Sequence, residues 1–404
     1  MTARTLLTAV SLLFMAAALA GCSGAGSPGS VDNPTLGGGS PGVAPGTSGG
    51  NSGTGNSGTQ GGSSGDTGGS SSGTGTGSST LPPPPSGPYS AFNCTPGTGV
   101  GTGSGASTEI DSTVTDLDGS QRDIIYFVPN PMPTTCMPVV VFLTYLRGGA
   151  AQMEKLTRAD RLAKQYGVFV AILPPANNGS WNDNPTGQPN GTLGLGATHD
   201  IGFIGNQIAG IIDSYPVDFN RIYLAGYSNS GYMAVTFACQ RPGLVAGLAE
   251  IAATTKGKIE QGCSSLPPSR IVMFSGTKDL INNYNGVFPN GPAGQSNSFI
   301  IAGAQQGEQL WEKHDGCSVA GRKTTQLPAP VDDGTTITLT ENDACSGNSA
   351  VALYTINGGG HTWPGNQVST LSSAKNNLVL GKTTQNLDAT LVLWKFLAGE
   401  SDVH

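Results

Sequence analysis

From about residue 120 onward, short continuous apolar runs alternate with stretches in which apolar residues recur at every third and fourth position. Val139-Val-Val-Phe-Leu-Thr144, Val168-Phe-Val-Ala-Ile-Leu173 and Val351 to Ile356 are unbroken runs. Such runs mark strands buried on both faces of a parallel sheet. Ile124 to Val128, Ile222 to Ala225, Leu248 to Ala252 and Arg270 to Phe274 read as further strands, and Asp116 to Gly119 as a hairpin turn before the first of them. Helical spacing predicts a helix over Met153 to Gln165, with Leu156, Ala159, Leu162 and Ala163 on one face and Gly167 ending it. A second runs from Asp200 to Tyr215 on Ile201, Ile204, Ile208, Ile211 and Ile212. Two more are expected from Ser230 to Gln240 and from Asp388 to Leu397. A long polar loop fills Ala176 to Thr198. Strands alternating with helices predict an α/β fold, with a mostly parallel central sheet covered by helices on both faces. Ligands in such folds gather at the carboxyl ends of the strands.

The first 90 residues have a different pattern. Leu6 to Leu19 is apolar but too short for a comfortable membrane span, which takes about 20 residues. It ends in Leu19-Ala20-Gly21-Cys22, which resembles a bacterial lipobox. That resemblance implies a signal peptide over 1–21, cleavage before Cys22, and lipid attachment at Cys22. Residues 22–89 are rich in Gly, Ser, Thr, Asn and Pro and end in Pro82-Pro83-Pro84-Pro85; no Lys or Arg occurs from Thr5 to Gln121. Such a composition buries too little apolar surface to offset ordering entropy, and predicts a disordered tether. The expected catalytic domain is 90–404.

Only 11% of residues are charged, and the formal net charge is −7. Nucleic acid is excluded as a partner, since phosphate binding needs clustered Lys and Arg. Of seven cysteines, six remain after Cys22. An even number outside the cytoplasm suggests disulfides. Fifteen connectivities are open. The simplest joins sequence neighbours: Cys94–Cys136, Cys239–Cys263 and Cys317–Cys345. No spacing typical of metal ligands is present, and neither a metal nor another cofactor is expected.

The candidate chemistry centres on Ala225-Gly226-Tyr227-Ser228-Asn229-Ser230-Gly231. A strand, an abrupt turn with serine at its tip, and a helix form a nucleophile elbow. A serine hydroxyl needs a base to become nucleophilic, and that base needs a carboxylate to orient it. Asp279, in Ser275-Gly-Thr-Lys-Asp279, follows a strand and is the candidate acid; Asp332 and Asp333 lack that placement. His361, in Asn357-Gly-Gly-Gly-His361-Thr-Trp-Pro-Gly365, follows the last strand and is the candidate base. His404 is terminal, His314 reads as a solvated surface residue, and His199 as a cap or packing residue. Acyl transfer also needs two backbone N–H groups at the developing oxyanion. These are expected from Asn229 and from Tyr145, in the loop after Thr144.

With these motifs, the chain resembles the secreted polyhydroxybutyrate depolymerase and feruloyl/acetylxylan esterase group of α/β-hydrolases. Asp200-Ile-Gly-Phe203, Trp181-Asn182, Asp218-Phe-Asn-Arg221 and Asp388-Ala-Thr with Trp394 add to the likeness, which spans about residues 120 to 400. The resemblance implies a Ser228–Asp279–His361 triad, a Cys239–Cys263 disulfide and a carboxylic-ester substrate, expected to be a polymer. A short-chain polyester is the first expectation and a feruloylated or acetylated xylan the second. A non-catalytic envelope lipoprotein on the same fold is the competing class, and a peptidase a third. Trp181 and Trp363 are expected to line the substrate groove. Two positions depart from the group's pattern. Thr144-Tyr145-Leu146 stands where it has His-Gly-Cys, and Ser230 replaces the usual elbow glycine.

Overall fold

The unbroken apolar runs form the centre of one sheet in a computed structural model of the chain. The structure describes residues 94–116, 119–176, 179–183, 199–255, 263–286, 302–366 and 380–400. All of them lie in one compact unit, Ser79–His404. The expected signal peptide, Cys22 and the expected tether fall outside the described residues.

The strands are β1 (Thr95–Pro96), β2 (Ser107–Thr115), β3 (Gln121–Pro129), β4 (Thr135–Leu143), β5 (Phe169–Leu173), β6 (Val217–Tyr227), β7 (Gly247–Ile251), β8 (Arg270–Gly276), β9 (Lys323–Gln326), β10 (Thr336–Asn342) and β11 (Ala350–Asn357). The helices are α1 (Ala150–Thr157), α2 (Asp160–Tyr166), α3 (Asp200–Ser214), α4 (Asn229–Gln240), α5 (Ala304–His314) and α6 (Ala389–Leu397). The sheet order is β2-β3-β5-β4-β6-β7-β8-β11-β10-β9, with β1 pairing the start of β4. From β5 to β11 every pairing is parallel, and the two ends of the sheet are antiparallel.

Alternation along the buried strands separates two cores. Val140, Phe142, Tyr223 and Ala225 face α1, α2 and α6. Val139, Val141, Leu143, Ile222 and Leu224 face α3, α4 and α5. The three disulfides join Cys94 to Cys136, Cys239 to Cys263 and Cys317 to Cys345.

The structure departs from the sequence pattern in three places. The helix expected over Met153 to Gln165 is two helices. Thr157 Oγ1 donates to the Met153 carbonyl and accepts from the Ala159 N–H, and Arg158 takes a left-handed conformation. A threonine that satisfies backbone groups locally competes with helix continuation. The edge strands β2 and β9, and β10 beside β9, carry mostly polar residues, and β9 is exposed throughout. Helix α5 buries Ala304, Gly307, Glu308 and Trp311, a stripe with little apolar signal. His314, at its end, is not a solvated residue. Its Nδ1 lies 2.6 Å from Asp315 and its Nε2 3.2 Å from the Cys263 carbonyl, and the carboxylate beside it raises its pKa.

One buried acid makes stability depend on pH. Glu250, on β7, is wholly buried; its Oε1 accepts from Thr255 Oγ1 and Trp311 Nε1, while Oε2 has no partner among the described residues. Burial pushes its pKa up to about 7, against the pull of those two donors. An unfolded glutamate titrates near about 4.3. The folded state therefore holds the proton more tightly. Its contribution to stability is full below that value and is lost as pH rises through about 7. Glu250→Gln is expected to melt within a degree or two of the parent at pH 4.5 and several degrees above it at pH 8. Thermal unfolding across that range checks this; an equal offset at both pH values would assign the effect to packing.

Candidate active site

Strand β6 ends at Tyr227 and helix α4 begins at Asn229, leaving a single residue, Ser228, to reverse the chain. Ser228 has φ 61° and ψ −125°. A non-glycine residue in this region is strained and is held by its surroundings. The Ser228 N–H donates to the Ile251 carbonyl at 2.9 Å. Gly226 is required because a Cβ there would stand 2.1 Å from the Ser230 carbonyl oxygen. Gly231 is required for a different reason: its Cβ would meet the Ala253 Cβ at 2.4 Å. That contact explains why glycine is needed at 231, one place beyond the usual elbow position.

Ser230 takes the place of the elbow glycine and does a separate job. Its hydroxyl is fully buried, accepts from the Tyr227 N–H at 2.8 Å and lies 2.8 Å from the Leu143 carbonyl, to which it donates. One side chain thus ties the elbow to the end of β4.

The sequence-predicted acid and base meet this serine. His361 Nε2 is 2.9 Å from Ser228 Oγ, and His361 Nδ1 is 2.8 Å from Asp279 Oδ2. The other oxygen of Asp279 accepts the Ile281 and Asn282 N–H groups, each at 2.8 Å. His361 and Asp279 are buried and Ser228 is partly exposed. His361 is held through its own backbone: its N–H donates to Leu380 and its carbonyl accepts from the Tyr227 hydroxyl at 2.8 Å. Burial, with Asp279 and Tyr145 nearby, raises the Tyr227 pKa, so that hydroxyl keeps its proton and remains a donor. Asp333 instead accepts from Thr335 and Gln385, holding a surface loop.

A strand-to-helix elbow, an acid after β8 and a histidine after β11 occur in the chain order Ser, Asp, His. The fold is that of an α/β-hydrolase.

The loop after β4 carries the second departure. The Tyr145 ring is half-buried and meets the Tyr227 ring edge-on, with centroids 5.5 Å apart. Gly148 leaves room for it, since a Cβ there would come within 2.9 Å of that ring. The bulky residue is therefore packed against the elbow strand. Among the described residues, the Tyr145 and Asn229 N–H groups have no hydrogen-bond acceptor.

The two tryptophans expected to line a groove are core residues. Trp181 is 0% and Trp363 1% exposed. Trp363 donates to Thr390 Oγ1 and packs on Phe142 and Tyr227. Trp181 donates from its ring to the Thr144 carbonyl. Neither ring has surface left for a ligand. Sequence reasoning also passed over Arg122. Its side chain is fully buried, 2.5 Å from Asp116 and 2.8 Å from Asp200, and lies over the Phe203 ring. Burial pushes the Asp200 carboxyl up, against the pull of Arg122. A lone arginine between strand residues gives no periodic signal that marks it as core.

No protein-family model matches the chain. Feruloyl esterase B of Piromyces equi is 30% identical over 229 residues, which is 55% of this chain and 39% of that protein. The chain thus spans well under half the length of that relative. A protein of Nocardia uniformis subsp. tsuyamanensis, named "Putative esterase NocK", is 24% identical over 278 residues, 65% of this chain and 74% of the other. Among solved structures, acetyl xylan esterase from Aspergillus awamori aligns at 17% identity with TM-score 0.45, covering 68% of this chain and 99% of that one. The sequence similarity is to proteins named as esterases.

Ser230→Ala would leave the Leu143 carbonyl and the Tyr227 amide without their shared partner. An unsatisfied buried group costs about 1–3 kcal/mol. The variant is expected to unfold at lower denaturant with an unchanged m-value. Equal midpoints for parent and variant would mean that the hydroxyl does not hold the elbow to β4.

Proposed function

We propose that the protein is a serine carboxylic-ester hydrolase. The observation that carries this reading is the unbroken relay from Ser228 Oγ to His361 at 2.9 Å and on to Asp279 at 2.8 Å. Ser228 Oγ attacks the ester carbonyl carbon, and its proton passes to His361 Nε2. Asp279 holds the Nδ1 proton and stabilises the imidazolium that forms. The carbonyl oxygen becomes an oxyanion, accepted by the N–H groups of Asn229 and Tyr145. Such a donor lowers the barrier by roughly 3–4 kcal/mol. Collapse of the tetrahedral species expels the alcohol, which takes its proton from His361. Water then attacks the acyl-enzyme by the same steps, returning the free serine and a carboxylic acid. The reaction needs no cofactor.

The relative named feruloyl esterase B supports a plant-wall ester, a feruloylated or acetylated polysaccharide, as the substrate. The polyester reading rests on the sequence motifs alone. The disulfides fit an oxidising compartment outside the cytoplasm. Lipid anchoring at Cys22 is part of the same reading, and the folded part would then work at the cell envelope.

The protein from residue 90 onward is expected to hydrolyse p-nitrophenyl butyrate, and Ser228→Ala to lose activity by at least about 10³-fold. Methyl ferulate, acetylated xylan and polyhydroxybutyrate then divide the substrate classes. Equal inactivity of parent and variant would leave a non-catalytic binding protein. In the full chain, Cys22→Ala should move the protein from the membrane to the soluble fraction; unchanged membrane association removes the lipid anchor.

A further inference from the structure

Trp181 donates two hydrogen bonds, one to each segment that flanks the oxyanion position. Its backbone N–H donates to Asn229 Oδ1 at 2.8 Å, and its indole Nε1–H donates to the Thr144 carbonyl at 2.7 Å. Asn229 follows the nucleophile in sequence, and Thr144 begins the loop after β4. The carbonyl that accepts from the indole belongs to the same peptide unit as the Tyr145 N–H. In a trans peptide those two groups point in opposite directions. A donor that holds the Thr144 oxygen toward the core therefore turns the Tyr145 N–H away from it.

The tryptophan is itself held from behind. Ser180 Oγ donates to the same Asn229 oxygen at 3.1 Å, and the Asn182 N–H donates to Asp200 Oδ2 at 2.7 Å. Asp200 is paired with Arg122, and the Arg122 guanidinium lies 5.8 Å from the centre of the Trp181 ring. The ring is 0% exposed, so a contact with substrate is not what fixes it. Thr144 is fixed twice more, through its N–H to Leu173 and through its hydroxyl to Gly148. The indole is the group that sets the direction of its carbonyl.

We propose that Trp181 is a positioning residue: through its two N–H groups it locks the Thr144–Tyr145 peptide against the elbow and aims the Tyr145 amide at the developing oxyanion. The role rests on the ester-hydrolase reading above. It follows that the loop tolerates a tyrosine where glycine is usual, because the amide direction is imposed from outside the loop rather than by a freely rotating glycine.

The test uses Trp181→Phe and, beside it, Trp181 replaced by 3-benzothienylalanine, which keeps the bicyclic shape and lacks only the N–H. Hydrolysis of p-nitrophenyl butyrate and binding of butaneboronic acid are measured, since the boronate adduct of Ser228 mimics the tetrahedral species. The expected result is a kcat reduced about 10- to 100-fold, a KM within about threefold, boronate affinity reduced in step with kcat, and little change in Tm. A benzothienyl variant with parental kcat overturns the proposal. So does a raised KM with kcat kept, which would make Trp181 a substrate contact. If the Phe variant unfolds, the benzothienyl variant decides. If parent and Ser228→Ala are equally inactive, the ester-hydrolase reading falls. The peptide lock is then read from the Tyr145 amide resonance of ¹⁵N-tyrosine-labelled protein. A shift in the benzothienyl variant supports the lock, and an unmoved resonance overturns it.

Discussion

Parallel pairing puts Leu143 beside Gly226, Tyr227 beside Ile251, Ile251 beside Phe274 and Gly276 beside Ile356. The strand ends therefore finish level. Everything at the site is built on the residues that come next: Thr144 and Tyr145 after β4, Ser228 after β6, Asp279 after β8 and His361 after β11. A shift of one residue in any pairing would turn a buried side chain to the opposite face and carry its loop out of reach. The strand interiors are buried on both faces and largely apolar, with Glu250, Ser275 and Thr355 as polar exceptions, so the register is fixed by packing on both faces rather than by one.

On that platform the elbow is a compromise between strain and contact. Ser228 sits in a backbone region that a residue with a side chain seldom occupies. Close packing beneath it leaves few alternatives, because the Ser230 carbonyl lies almost against Gly226. Several of the polar groups that such crowding would strand are answered. The Tyr227 amide and the Leu143 carbonyl share the Ser230 hydroxyl, and the Tyr227 hydroxyl meets the His361 carbonyl. Buried polar groups satisfied in this way rigidify a core instead of weakening it.

The central strands and the positions of Ser228, Asp279 and His361 were legible because each is announced by a local pattern: an apolar run, then small or turn-forming residues. The rest was hidden for physical reasons. Strands β2 and β9 lie at the sheet edges, where one face meets water, and their residues alternate weakly or not at all. Helix α5 buries a glutamate and a glycine, which no hydrophobic period can register. Trp181 and Trp363 look like ligand-binding aromatics in a sequence, since nothing local tells a loop tryptophan that points outward from one that points inward. Asp200 is far along the chain from Arg122 and Asp116, and only the fold brings it to them.

The Cys94–Cys136 bond closes at the start of β4, where β1 pairs with Thr135 and Cys136. Thr144 lies at the other end of that strand, roughly 30 Å away at about 3.3 Å per residue. A pull on the N-terminal segment therefore enters the domain through a covalent bond at the foot of its central strand. The load passes into the sheet far from the elbow, so the mechanical path and the chemical one share a strand but meet it at opposite ends.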